Sequence, residues 1–366
     1  MAVSVVGHNR PERPKEKLFS VVQNYRRAIV NVATLLVTIV ALLLVFEGIL
    51  RLWPAELLGQ EFANGVLNRY TATPSGIYYH DPSLRMNFMK PNFTTENYLN
   101  GYRWHHQTDG LGFRNPQTRT QADVLLLGDS LIYGHGVNID ETVGILLERS
   151  GPYSVVNLGT QGYCAYQEAY LVTEYVPKFK PRYVFLFFFE NDITDVYAWR
   201  TDQEIQEFIQ QDIYDITLNV RTDPAKLIRR PFLGLFPAQL YVSRAFDMLK
   251  FKLRLKREKN QPPAVIDKLH DANDEESLAW RYTKQAILYM DAVAKSHHAK
   301  FVVVPIIMAQ KPYYDILKRF AAHHGLLFAE KSEVYNWPPT HFLPGDGHFT
   351  GEGANAMAKL VTDYLK

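Results

Sequence analysis

The sequence predicts an α/β domain with a doubly wound, mostly parallel sheet, preceded by one transmembrane helix and a small β-rich lead-in. Three observations carry that prediction. From Val124 onward, short apolar runs alternate with segments of helical periodicity. The run Arg182–Phe189 is apolar throughout after its first residue, as a strand covered on both faces must be. Near the amino terminus, Ala28 to Phe46 gives nineteen residues without a charge, and a helix of about 20 apolar residues crosses a bilayer.

Composition narrows the class. The chain has 366 residues, 47% hydrophobic and 21% charged, enough to bury a sizeable core. Forty basic residues against 38 acidic ones leave a net charge of +2, which gives no electrostatic footprint for nucleic acid. A single cysteine, Cys164, excludes an intramolecular disulfide and reads as a small buried residue. Aromatic residues reach 13%, which suits core packing and leaves some for an acyl or sugar site.

Taken in order, residues 1–27 form a basic tail, with Arg10, Arg13, Lys15, Lys17, Arg26 and Arg27 against Glu12 and Glu16. Residues 28–50 read as an anchor. Trp53 suits the interface and Arg51 can snorkel. The run is longer than the apolar region of a signal peptide, and Phe46-Glu47-Gly48-Ile49 lacks a small-residue cleavage pattern. A cleaved signal and a buried core helix are the rival readings. The charge bias places the tail in the cytoplasm and the rest of the chain in a periplasm or extracellular space. Residues 51–107 carry Pro, Gly and Asn between short strand-like runs such as Tyr98 to Trp104, which predicts a β-rich lead-in or spacer. His105 and His106 have no partner ligands at metal-like spacing, so no metal is expected.

The core elements follow. Val124–Leu127 predicts a buried strand, Glu141–Arg149 a helix, Tyr153–Leu158 a strand, and Tyr166–Tyr175 a helix. After the strand 182–189 comes an insertion at about 197–278. It holds an acidic helix, Asp202–Ile213, an apolar proline-broken stretch, Arg229–Leu240, and a basic amphipathic stretch, Ser243–Arg257, with the exposed loop Glu258–Glu276 after it. The basic stretch suits either an anionic membrane surface or core packing with a solvated face. The helix Ala279–Lys295, the strand Lys300–Ile307, the helix Asp315–Ala322, the strand Leu326–Phe328 and the helix Gly353–Tyr364 complete the domain.

Chemistry-bearing residues fall at predicted strand ends. Gly128-Asp129-Ser130 closes the first strand, and Asn157-x-Gly159-x-x-Gly162 the second. Asn191-Asp192 follows the third, and Asp346-x-His348 precedes the last helix. Ligands of open α/β sheets bind at such carboxyl edges. A serine needs a base, imidazole titrates near neutrality, and a carboxylate fixes the tautomer of its partner. His135 and His341 are rival bases outside these blocks.

These four blocks, in this order, closely resemble those of the SGNH (GDSL-type) serine hydrolases over roughly residues 108–366. The Thr108-x-Gly110-x-Gly112-Phe-Arg114 lead-in and the anchor look like a bacterial membrane-anchored subgroup. Two positions depart from the commonest pattern: Asp346 stands two residues before His348 rather than three, and Glu190 rather than Gly precedes Asn191. The resemblance implies a three-layer, flavodoxin-like sheet over 108–366 and no cofactor. It implies Ser130 as nucleophile, His348 as base and Asp346 as its orienting acid. It places the oxyanion hole at the Ser130 N–H, the Gly162 N–H and the Asn191 amide. Asp129 is expected to brace the turn, and Asn157 to brace its loop or join the site. The implied activity is ester hydrolysis on an acylated carbohydrate or lipid-linked envelope substrate. Acyl transfer by the same triad and a catalytically silent binding subunit are the alternatives.

Overall fold

The structure, a computed structural model, describes residues 14–73, 75–219, 221–228, 272–306, 311–330 and 336–365, together with 241, 242, 245 and 250. The stretches Arg229–Leu240 and, but for residues 245 and 250, Ser243–Arg257 lie outside the described residues, as do Ile307 and most of Glu258–Glu276.

Helix α1 (Pro14–Leu52) opens the described chain. Its segment Val22–Leu52, 31 residues, is the one helix among the described residues long and apolar enough to cross a membrane. Ile29, Leu36, Val40 and Leu44 on it are exposed, as an apolar helix without a protein partner is. Helix α2 (Gln60–Leu67) follows a short 3-10 turn. It packs Phe62, Ala63 and Val66 against Leu50 and Tyr98. The sequence pattern gave no helix here, because eight residues with Asn64 and Gly65 inside them are too few to show a period.

The lead-in continues as two antiparallel hairpins. Strands β1 (Tyr78–Asp81) and β2 (Met86–Met89) pair Tyr78 with Met89, and β3 (Thr94–Leu99) and β4 (Tyr102–Gln107) pair Thr94 with Gln107. Both pack on the main domain. The Tyr163 hydroxyl donates to the Asn87 carbonyl at 2.7 Å, and Trp104, fully buried, donates its indole N–H to the Tyr133 hydroxyl at 3.3 Å.

The main sheet contains β5 (Val124–Leu127), β6 (Val155–Asn157), β7 (Tyr183–Phe189), β8 (Lys300–Ile306) and β9 (Leu327–Phe328). All are parallel, in the order β6-β5-β7-β8-β9. Numbered within the domain this is 2-1-3-4-5, a doubly wound order whose switch point lies between β5 and β7. The intervening helices are α3 (Ser130–Tyr133), α4 (Val143–Arg149), α5 (Ala165–Phe179), α6 (Asn191–Thr194), α7 (Asp202–Gln210), α8 (Pro224–Leu227), α9 (Leu278–Ser296), α10 (Lys311–His324) and α11 (Gly351–Tyr364). Side chains alternate across the sheet. Leu125 and Leu127 face the layer that holds residues of α5, α9 and α10, while Val124 and Leu126 face residues of α4 and α11.

One buried residue ties the lead-in to the turn after β5. Arg114 is 1% exposed. Its guanidinium donates to the carbonyls of Tyr133, Gly134, His105 and Val137 at 2.5–3.2 Å. Arg114→Leu should therefore destabilise the protein by at least about 3 kcal/mol, because the buried carbonyls lose their donors while the volume is kept. Urea unfolding of the detergent-solubilised chain checks this value.

Candidate active site

The β5 strand ends at Leu127, and the chain reverses into α3 at Ser130. Asp129 caps that helix: its carboxylate accepts the Leu131 N–H at 3.0 Å, and its carbonyl accepts the Tyr133 N–H at 2.9 Å. Ser130 is thus the first helical residue, whose own N–H meets no carbonyl within the helix. The sequence reading began the helix only at Glu141. A single turn of four residues carries no periodicity to read.

His348 arrives from the opposite end of the chain. A tight turn, in which the Asp346 and Gly347 N–H groups both donate to the Leu343 carbonyl, presents it. His348 Nε2 lies 2.7 Å from Ser130 Oγ, and His348 Nδ1 bonds Asp346 Oδ1. The other oxygen of Asp346 accepts from Asn100 Nδ2 at 2.7 Å. Burial alone would raise the Asp346 pKa, but the hydrogen bonds from His348 and Asn100 and the neighbouring imidazoles outweigh it and hold the carboxyl down to about 2. An ionised Asp346 only accepts, so Nδ1 carries the imidazole proton and the Nε2 lone pair faces the serine hydroxyl.

The two loops beside Ser130 leave neighbouring strands at the same carboxyl edge. After β6, Gly159 runs so close to the nucleophile turn that a Cβ there would meet the Tyr133 nitrogen at 2.5 Å. The Thr160 N–H donates to the Gly128 carbonyl at 3.1 Å, which fixes the loop to the turn. Gly162 has a left-handed φ of +72° and open space where a side chain would stand. Asn157 is a brace: its amide donates to the Ile132 carbonyl at 2.7 Å and its oxygen accepts the Gly159 N–H at 2.8 Å. After β7, the Asn191 amide donates to Asp195 at 3.0 Å, and its oxygen is buried without a partner. The structure thus joins Ser130, His348 and Asp346 in one hydrogen-bonded line. It sets Gly162 on the loop after β6 and Asn191 at the start of α6, with no hydrogen bond between either and Ser130.

Sequence reasoning missed the support of this line. Asn100, at the tip of the second hairpin, had no signal beyond being a turn asparagine; it is itself held by two hydrogen bonds with Asn64 of α2. Asn115, in the Gly-Phe-Arg-Asn stretch, exchanges hydrogen bonds with the backbone of Asn157 at 2.9 and 3.2 Å. His135, one of the two rival bases, stacks its ring on His348 at 4.1 Å, and that ring makes no hydrogen bond to the Ser130 hydroxyl.

Beneath the turn sits a buried acidic group of Asp129, Glu168 and Asp192. Both oxygens of Glu168 and one of Asp192 have no hydrogen-bond donor. Burial, then the neighbouring carboxyls, pushes the pKa of Glu168 and of Asp192 far up, and that of Asp129 up as well. The same burial and charges push up the Cys164 thiol, so it is no nucleophile.

Solved structures similar to this chain include that of TesA, at 12% identity and a TM-score of 0.38, covering 66% of this chain and 97% of that one. A putative lipolytic protein of the G-D-S-L family from Desulfitobacterium hafniense matches at 12% and 0.36, covering 67% and 99%. A catalytic mutant of an acetylxylan esterase from Geobacillus stearothermophilus matches at 14% and 0.35, covering 68% and 95%. No protein-family model and no curated protein matches. At these values the likeness says nothing about activity, which is read from the site itself.

The acidic group makes a testable statement about stability. A carboxyl whose pKa is raised in the folded state favours folding fully only below its unfolded pKa, and that contribution is lost as pH rises towards the folded value. Glu168→Gln removes the titration. It should raise the melting temperature by a few degrees, about 2–5 °C, near pH 8 and change it little near pH 4. Thermal unfolding at the two pH values checks this; an equal effect at both contradicts it.

Proposed function

We propose that this chain is a membrane-anchored serine esterase, acting outside the cytoplasm, that removes O-acyl groups, acetyl among them, from a carbohydrate or envelope polymer. The observation that carries this reading is the line Ser130 Oγ–His348 Nε2, 2.7 Å, continued from His348 Nδ1 to Asp346. It stands at the switch point of a parallel sheet. The long exposed apolar helix at the amino terminus supports the anchor, and the basic residues before it support a cytoplasmic tail.

In this reaction His348 takes the hydroxyl proton of Ser130 as Oγ attacks the acyl carbonyl. Asp346 holds the ring tautomer and stabilises the imidazolium. The Ser130 and Gly162 N–H groups and the Asn191 amide receive the developing oxyanion, each donor contributing about 3–4 kcal/mol to the transition state. The ester C–O bond breaks, and His348 passes its proton to the leaving alcohol. Water then enters, gives a proton to His348 and attacks the acyl-serine, releasing the carboxylic acid and restoring the Ser130 hydroxyl.

Two measurements test this. Release of 4-nitrophenol from its acetate by the detergent-solubilised chain should fall to background in Ser130→Ala, and Asp346→Asn should lower kcat by about a thousandfold or more. Turnover that survives Ser130→Ala contradicts the reading. An alkaline phosphatase reporter fused after Lys366 should be active in cells; an inactive reporter with an active cytoplasmic one places the domain on the wrong side of the membrane.

A further inference from the structure

His135 is a titratable group in contact with the candidate triad that the reaction above leaves unused. It follows α3 directly, and its backbone N–H donates to the Ser130 carbonyl at 3.1 Å. Its side chain has no exposed surface. The ring lies against His348, 4.1 Å between centroids and 28° between planes, with Trp104 at 4.7 Å. Its Nδ1 is 3.0 Å from the Tyr70 hydroxyl. Its Nε2 is buried with no hydrogen bond of ordinary length; Asp346 Oδ1, the oxygen that His348 also uses, lies 3.8 Å away, and the side-chain oxygen of Gln161, buried and unpaired as well, is the other acceptor beside the ring.

Three roles fit this geometry poorly. It is no general base, because Ser130 Oγ is bonded to His348. It is no metal ligand with Asp346 and His348, although the ligand atoms of all three lie within 4.8 Å. A metal must lie near the plane of each imidazole that binds it, and two rings stacked at 28° cannot both aim a lone pair at one close point. It is no second cation beside His348. Burial, the His348 charge and the Arg114 guanidinium lower its pKa to about 3, against the opposing pull of Asp346 and Gln161. The ring is therefore neutral, with one N–H. With the proton on Nδ1, a lone pair would face the Asp346 carboxylate. The favoured tautomer has Tyr70 donating to Nδ1 and the imidazole N–H on Nε2, towards Asp346.

We propose that His135 is a positioning residue of this site: its stacked, neutral ring holds His348 against Ser130, and its N–H is directed at the carboxylate that orients His348. The proposal rests on the Ser130–His348–Asp346 reading above. The two parts act on different quantities. The stack restricts rotation of the His348 ring, which sets kcat. The N–H offsets part of the Asp346 field at His348, where Asp129 is the other facing carboxyl. Without that N–H, the Asp346 charge favours the His348 imidazolium more strongly, and the acid limb of the pH profile moves up.

The experiment is the pH dependence of kcat and kcat/KM for acetyl-ester hydrolysis by the full chain in detergent. His135→Phe keeps a stacked ring and removes the N–H. It should move the acid limb of kcat/KM to higher pH by about half a unit, with KM little changed. His135→Gln returns an N–H near the position of Nε2 and removes the ring. It should restore the limb while kcat falls about tenfold. An unmoved limb in His135→Phe, or wild-type kcat in His135→Gln, overturns the proposal. Should either variant fail to fold, His135→Leu removes the ring and the N–H together: its limb must move in the same direction and its kcat must fall, and an unmoved limb or a wild-type kcat overturns the proposal. Activity lost in Ser130→Ala with an unmoved limb refutes the His135 role alone, whereas activity that survives Ser130→Ala refutes both readings.

Discussion

The Asp346 carboxylate is the point on which the site depends. It is an acceptor in a dry place, with 1% of its side chain exposed, so both oxygens need donors. One is satisfied by His348, two residues away, and the other by Asn100, from a hairpin 246 residues earlier in the chain. That hairpin is in turn held by Asn64 on α2, which packs against the end of α1 at Leu50. The carboxylate thus links the last loop of the domain to the first elements after the apolar helix. The lead-in is part of the site's support, and not a tether alone.

The sheet supplies the rest of the placement. A 2-1-3-4-5 order sends the chain in opposite directions after β5 and β7, and the opening between them receives Ser130 from one and Asn191 from the other. Putting a capped helix start there brings Asp129 inside, next to Glu168 and Asp192. Three carboxyls packed together, with no Lys or Arg beside them among the described residues, cannot all be ionised. The region directly under the nucleophile therefore folds at a cost in stability, a pattern common where a site is held in a set geometry.

How much of this could be read beforehand follows from how each feature is encoded. The strands of the sheet were legible as short apolar runs, whereas Ser130, Gly162, Asn191, Asp346 and His348 were singled out by the resemblance of four short blocks to those of a known family. The single-turn helix at Ser130 and the eight-residue α2 were not legible, since neither is long enough to display a 3.6-residue period. Asn100, Asn115 and Tyr70 were not legible for another reason. Their part in the site comes from contacts across 42 to 246 residues, and a turn asparagine or an isolated tyrosine looks the same in sequence whether or not it makes such a contact. Arg114 was noted as part of a motif. Only the structure gives its cause, four backbone carbonyls gathered around one guanidinium.

The central claim is that Ser130 attacks an acyl group whose oxygen is received by the loops after β6 and β7. A crystal structure of the protein treated with an alkyl fluorophosphonate tests it most directly. The account predicts a phosphorus atom bonded to Ser130 Oγ, with the phosphoryl oxygen within hydrogen-bond distance of the Ser130 and Gly162 nitrogens and the Asn191 amide, about 2.7–3.1 Å. A phosphoryl oxygen pointing to solvent, or an adduct on any other residue, would contradict it.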